Sequence, residues 1–86
     1  MEEVRQLQGP VLKRDGKLML LIPLEEGGAD FLECSRGISE VENGFLKIVI
    51  EEWLAGILQV EEGDHVVISN ANGKFGIWAV EPRLVH

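Results

Sequence analysis

Few side chains in this sequence combine the types and spacing that chemistry needs. Asp64-His65 joins an acid to an imidazole, the smallest unit for general-base work. The sequence places no serine, cysteine or second acid to complete a triad around it, so His65 reads as a histidine at a strand start. Cys34 is the single cysteine. It follows Phe31 and Leu32 closely and reads as a small buried hydrophobe rather than a nucleophile. Two histidines and one cysteine make no convincing metal set and allow no disulfide within the chain. His86, at the chain end, is expected to be disordered. The pairs Glu25-Glu26, Glu51-Glu52 and Glu61-Glu62 suggest acid–base work or a cation. Adjacent residues point to different sides of a helix or strand, so they read as solvated charges. Asn70-Ala71-Asn72-Gly73-Lys74 lacks a phosphate-loop pattern and reads as a hairpin turn. Trp53 and Trp78 could stack on a ligand or base. Trp53 is expected in the core, and Trp78, opposite Phe75, Ile77 and Ala79 in strand alternation, at the surface or an interface. No residue is assigned a catalytic, cofactor or metal-binding role.

The bases matter for another chemistry. Lys13, Arg14, Lys17, Arg36 and Lys47 are the candidates for contact with a phosphate backbone. The net charge is −7, and beyond residue 24 twelve acids face only Arg36, Lys47, Lys74 and Arg83. Such a chain starts at a disadvantage as a DNA binder unless a local basic patch rescues it. Acidity is read as a solubility device, and DNA as a doubtful partner.

The elements that would position these residues read as follows. Residues 1–10 look like a leader ending at Gly9-Pro10, and Val11 to Arg14 a short strand. Asp15-Gly16 is a two-residue turn into the apolar run Leu18 to Leu24, which Pro23 ends or places at an edge. Gly27-Gly28 turns the chain, and Ala29 to Cys34 reads as a return strand. Ile38 to Glu42 and Phe45 to Ile50 flank Asn43-Gly44, the strongest hairpin signal. Phe45 and Val49 share one face of their strand with Lys47, while Leu46, Ile48 and Ile50 take the other. A strand apolar on both faces needs cover on both, and a second protomer could supply one of them. Glu51 to Val60 is the one helix, with Trp53, Leu54, Ile57 and Leu58 spread over about 140° at ~100° per residue. His65 to Ser69 and Lys74 to Val80 form a last hairpin.

The segment Ile50-Glu51-Glu52-Trp53-Leu54-Ala55-Gly56-Ile57-Leu58-Gln59-Val60-Glu61-Glu62-Gly63-Asp64-His65-Val66 has a more specific pattern. A strand leads to a helix with two leucines one turn apart, then a valine, Gly-Asp and a valine-rich strand. This resembles the AbrB/MazE/SpoVT group of swapped-hairpin barrels over roughly Ile38 to Val80. The resemblance implies a mainly β fold, a cradle-loop-like barrel with one short helix, closed by the interleaved hairpins of a homodimer. It leaves residues 1–37 as an added N-terminal hairpin and 38–86 as the barrel region of a single domain. Two departures bear on function. Glu51 stands at the family's proline position, and Ala55 where its DNA binders often carry arginine.

The resulting expectation is a single cytoplasmic domain without cofactor, metal or membrane span, acting as a non-catalytic, self-associating regulatory or protein-interaction module. Phe45, Val49, Trp53 and Trp78 are the candidate interface residues. The alternatives are an AbrB-like DNA-binding regulator or antitoxin using Lys13, Arg14, Lys17, Arg36 and Lys47, and a small ligand-binding barrel with a pocket near His65.

Overall fold

The computed structural model describes residues 3–80. It is mainly β, with seven strands in two antiparallel sheets and one short α-helix. The strands are β1 (Val4–Pro10), β2 (Leu12–Arg14), β3 (Lys17–Pro23), β4 (Ser39–Glu42), β5 (Phe45–Ile50), β6 (His65–Ala71) and β7 (Lys74–Ala79), and α1 (Glu52–Leu58) follows β5. One sheet has the order β1-β6-β7 and the other β2-β3-β5-β4. His86 lies outside the described residues.

Three two-residue turns set the local architecture. Asp15-Gly16, Asn43-Gly44 and Asn72-Gly73 all place both residues at positive φ. That is the type I′ geometry whose twist matches a hairpin, and it closes β2–β3, β4–β5 and β6–β7. Register follows from the turns. Leu20 faces Ile48, and Ile22 faces Leu46. Leu7 faces Ile68, which faces Ile77. These residues turn inward with Val66 and Ile50 to form the core between the sheets.

Within the stretch expected as a leader, residues 4–10 form a strand instead. Val4–Pro10 is a strand along the whole of β6, from Val4 opposite Ala71 to Pro10 opposite His65. Gln6 and Gln8 make it polar by composition, but backbone pairing to β6 supplies what side-chain pattern does not show. Val11 then carries the chain from one sheet to the other. It is fully buried. Its N–H donates to the Asp64 carbonyl at 2.7 Å, and its carbonyl accepts from the Gly63 N–H at 2.8 Å. The turn that receives it is held by the Asp64 carboxylate, which accepts the Glu61 N–H at 2.8 Å.

Ala29 to Cys34 is not a return strand. Gly28–Phe31 is a 3-10 helix, and turns continue to Ile38. A Cβ at Gly28 would lie 2.9 Å from the carbonyl oxygens of Ile22 and Pro23, so the chain passes too close to β3 for any other residue. This brings Phe31, fully buried, into the end of the sandwich against β3, β5 and β6. Ser35 is also buried there; its hydroxyl donates to the Phe31 carbonyl at 2.6 Å and lies 2.6 Å from the Ser39 hydroxyl.

Trp53 is not in the core. It is 63% exposed, and Ile57 70%. Leu54, Ala55 and Leu58 are the α1 residues packed on the core. A seven-residue helix at one end of the sandwich touches it along a single stripe. Positions 53 and 57 lie ~100° from that stripe and turn to solvent. The Trp53 indole N–H donates to the Glu51 carboxylate at 3.1 Å. Leu46 and Val66 are fully buried within one chain, because β3 covers the flank of β5 and β1 that of β6. Leu54 and Leu58 are half-buried.

Candidate interaction surface

The register of β2-β3-β5-β4 determines which side chains share its outer face. Directly paired residues in an antiparallel sheet point the same way. Leu12, Met19 and Val49 therefore form one row across three strands. Leu21, Lys47 and Glu40 form the next, then Pro23, Phe45 and Glu42. Arg14 and Lys17 lie side by side at the opposite end. Met19 is 6% exposed although it points away from the core, since Leu12 and Val49 flank it on both sides. Leu12 and Phe45 are more than a third exposed.

Lys47 sits amid this apolar face with its charge engaged. Its ammonium donates to the Glu42 carboxylate at 2.9 Å and lies 3.5 Å from Glu40. The hydrogen bond from Lys47, reinforced by its charge, holds the Glu42 carboxyl below the ordinary carboxylate range, with a smaller pull from Arg14. The same hydrogen bond and both acids hold the Lys47 proton on more tightly than usual.

A second apolar region lies where the sandwich is open. No pairing joins β4 to β7 among the described residues, and a groove of about 480 Å³ runs between them beside α1. Ile38, Trp53, Leu54, Phe75 and Ile77 line it, with Lys17, Glu40 and Glu51 among its polar residues. Phe75 and Ile77 point toward the core but are only half-buried.

The fold thus brings together part of what the sequence marks. Phe45 and Val49 share the outer face with Arg14, Lys17 and Lys47, whereas Lys13 points the other way from Arg14. Arg36 lies in the turns before β4, 4.0 Å from Glu33. Trp78 is on the outer face of the other sheet. A Cβ built at Gly76 would meet its ring at 3.5 Å, so the indole covers the gap that this glycine leaves. Leu12, Met19, Leu21, Glu40 and Glu42 complete the face around Lys47, and sequence reasoning missed them. Their signal is alternation on β3 and β4, readable only once the partner strands are known.

The residues singled out for catalysis have bland surroundings. His65 is exposed, with Nδ1 3.2 Å from the Gln8 amide nitrogen. The Cys34 thiol donates to the Phe31 carbonyl at 3.6 Å, and burial raises its pKa, the reverse of an activated thiolate. Among the described residues no three His, Cys, Asp or Glu side chains gather as a metal site would require. No helix among them is long and apolar enough to cross a membrane.

Comparison with protein-family models, with curated proteins and with solved structures gave no match.

Proposed function

We propose that this chain is a non-catalytic interaction module that associates with itself and with a protein partner. The observation that carries the reading is α1. Trp53 and Ile57, two large apolar side chains one helical turn apart, stand 63% and 70% exposed, and Trp53 lines the groove between β4 and β7. Contiguous exposed apolar patches rimmed by polar residues mark interaction sites and grooves, and tryptophan is enriched among the residues that anchor them. The likeness to the AbrB group supports the same reading, since it implies a barrel that a second chain completes. In a single chain β5 already pairs with β3 and β6 with β1, so association needs no exchange of hairpins.

DNA binding is the second reading, supported by the Arg14–Lys17 pair and Lys13 on one exposed hairpin. It is weaker because Lys47 is already held by two acids and Arg36 lies near Glu33. A ligand-binding barrel would need an enclosed polar pocket near His65, which instead stands exposed beside Gln8.

Sedimentation velocity from about 1 to 300 µM tests the main reading, together with binding of the apolar dye anilinonaphthalene sulfonate. The expected result is a concentration-dependent dimer and dye binding that falls in the Trp53→Ser/Ile57→Ser double variant. A strict monomer that binds no dye removes this reading. Duplex binding that weakens steeply with salt would favour the DNA reading instead.

A further inference from the structure

We infer that the open edge of β7 docks one extended strand of a partner protein, apolar at alternate residues and basic overall; this rests on the protein-partner part of the reading above. The sheet β1-β6-β7 is one strand narrower than the sheet it packs on. Ile22, Leu46 and Val41 share one row of that wider sheet and point to its inner side. Ile22 and Leu46 are buried, whereas Val41 is 56% exposed. The cover therefore stops short of β4. Ser39, on the same face of β4, lines the groove with Ile38, and Phe75 and Ile77 line it from β7. The room left is that of a fourth strand.

Backbone chemistry selects a strand to fill it. The Val80 N–H donates to the His65 carbonyl at 2.9 Å, one step beyond the Val66–Ala79 pair. Hydrogen-bonded pairs alternate along an antiparallel ladder, so Lys74, Gly76 and Trp78 bond to β6. The N–H and C=O groups of Phe75, Ile77 and Ala79 point the other way, along an edge that pairs with no strand among the described residues. The side chains of the same three residues face the core, yet each is only half-buried. An added strand meets both needs: its backbone bonds to the open groups, and its inward side chains cover Val41, Ile38 and Phe75. Edges that must stay free are guarded by charge, proline or a bulge. β7 carries Lys74 alone, at its turn end.

Shape and charge choose the occupant. A second copy pairing through its own β7 would bring its overhanging β4 into the same space, so the position takes a single strand. The chain carries a net charge of −7, and Glu40 and Glu51 outnumber Lys17 in the groove, which favours a basic segment. Six residues of β7 set the contact at ~20 Å.

The test titrates isotope-labelled protein with the capped peptide Lys-Val-Lys-Ile-Lys-Val-Lys, followed by amide NMR shifts. The expected dissociation constant is about 10–300 µM. Shifts are expected at Val41, Phe75, Ile77 and Ala79, with slowed amide exchange at the last three. Methylating every backbone nitrogen of the peptide keeps its charge and side chains but removes its donors. Binding is then expected to weaken at least about tenfold, and likewise when glutamates replace the lysines. Equal binding of either altered peptide, or shifts confined to α1, would overturn the strand position and leave a partner-binding module standing. Shifts at β7 that follow protein concentration and ignore the peptide would give the edge to a second copy. Binding gained only on deleting residues 81–86 would give it to the chain's own end. No binding at about 1 mM, by protein that dimerises and takes up the dye, removes this inference alone. A monomer that takes up no dye and binds no peptide removes both.

Discussion

Replacing Phe31 by alanine should be among the most damaging single changes in this domain. Phe31 is fully buried and fills the end of the sandwich against β3, β5 and β6. Truncating a buried phenylalanine costs about 3–5 kcal/mol, the transfer free energy of the ring plus the cavity it leaves. A domain of 86 residues has a total stability of about 4–13 kcal/mol at ~0.05–0.15 kcal/mol per residue. The change therefore removes a large fraction of it and can unfold the chain outright. The neighbour supplies the control. Leu32 is 39% exposed, beyond the end of the 3-10 helix, and Leu32→Ala should cost about 1 kcal/mol or less. Urea denaturation followed by circular dichroism measures both. With a slope of ~1 kcal/mol/M, Phe31→Ala should lower the midpoint by about 3 M or more and Leu32→Ala by about 1 M or less. Equal costs at the two positions would refute the reasoning, because they would mean that residues 29–34 present both side chains to the core.

Three further outcomes can be measured in the same way. Gly56→Ala should stabilise the domain by about 1 kcal/mol, since nothing lies within 4 Å of the new Cβ and alanine favours α1. Gly28→Ala should destabilise it by more than that, because the new Cβ must push aside the backbone oxygens of Ile22 and Pro23. Gln59→Gly should stabilise by about 1 kcal/mol, a rise of roughly 4–8 °C in Tm: Gln59 ends α1 at φ 56°, in the left-handed region that glycine occupies without strain. The pH dependence has a defined sign. Glu42 is held below its unfolded pKa of ~4.3, so its contribution is present above that value and is lost as pH falls through the lower folded pKa. Lys47 is held above its unfolded pKa of ~10.4, so its contribution is complete below that value and fades at higher pH. Glu42→Gln should flatten the acid side of a plot of urea midpoint against pH, and an unchanged acid limb would count against the pairing.

The parts of the fold that were legible early are those that one short stretch of chain decides. Asp15-Gly16, Asn43-Gly44 and Asn72-Gly73 need positive φ at both positions, and few residue types allow it. Their hairpins could be read before any partner strand was known. The helix after β5 is local in the same sense, since its periodicity marks it. The candidate surface was half legible. Phe45 and Val49 stand out because β5 is apolar on both sides, but nothing in their own strand says that Leu12, Met19 and Leu21 lie beside them.

What needed the assembled chain is pairing between distant segments and competition for one interior. Val4–Pro10 is a strand because β6 offers it a backbone edge some sixty residues away, which its own side chains do not advertise. Phe31 is a plug and Trp53 is not, although both are large aromatics, because Gly28 lets the first pack close against β3, whereas α1 meets the core only through Leu54, Ala55 and Leu58. Local sequence sets φ and alternation through sterics that act over a few residues. Which faces are then covered depends on contacts whose cost is loop closure over the whole chain, and no window of residues contains that information.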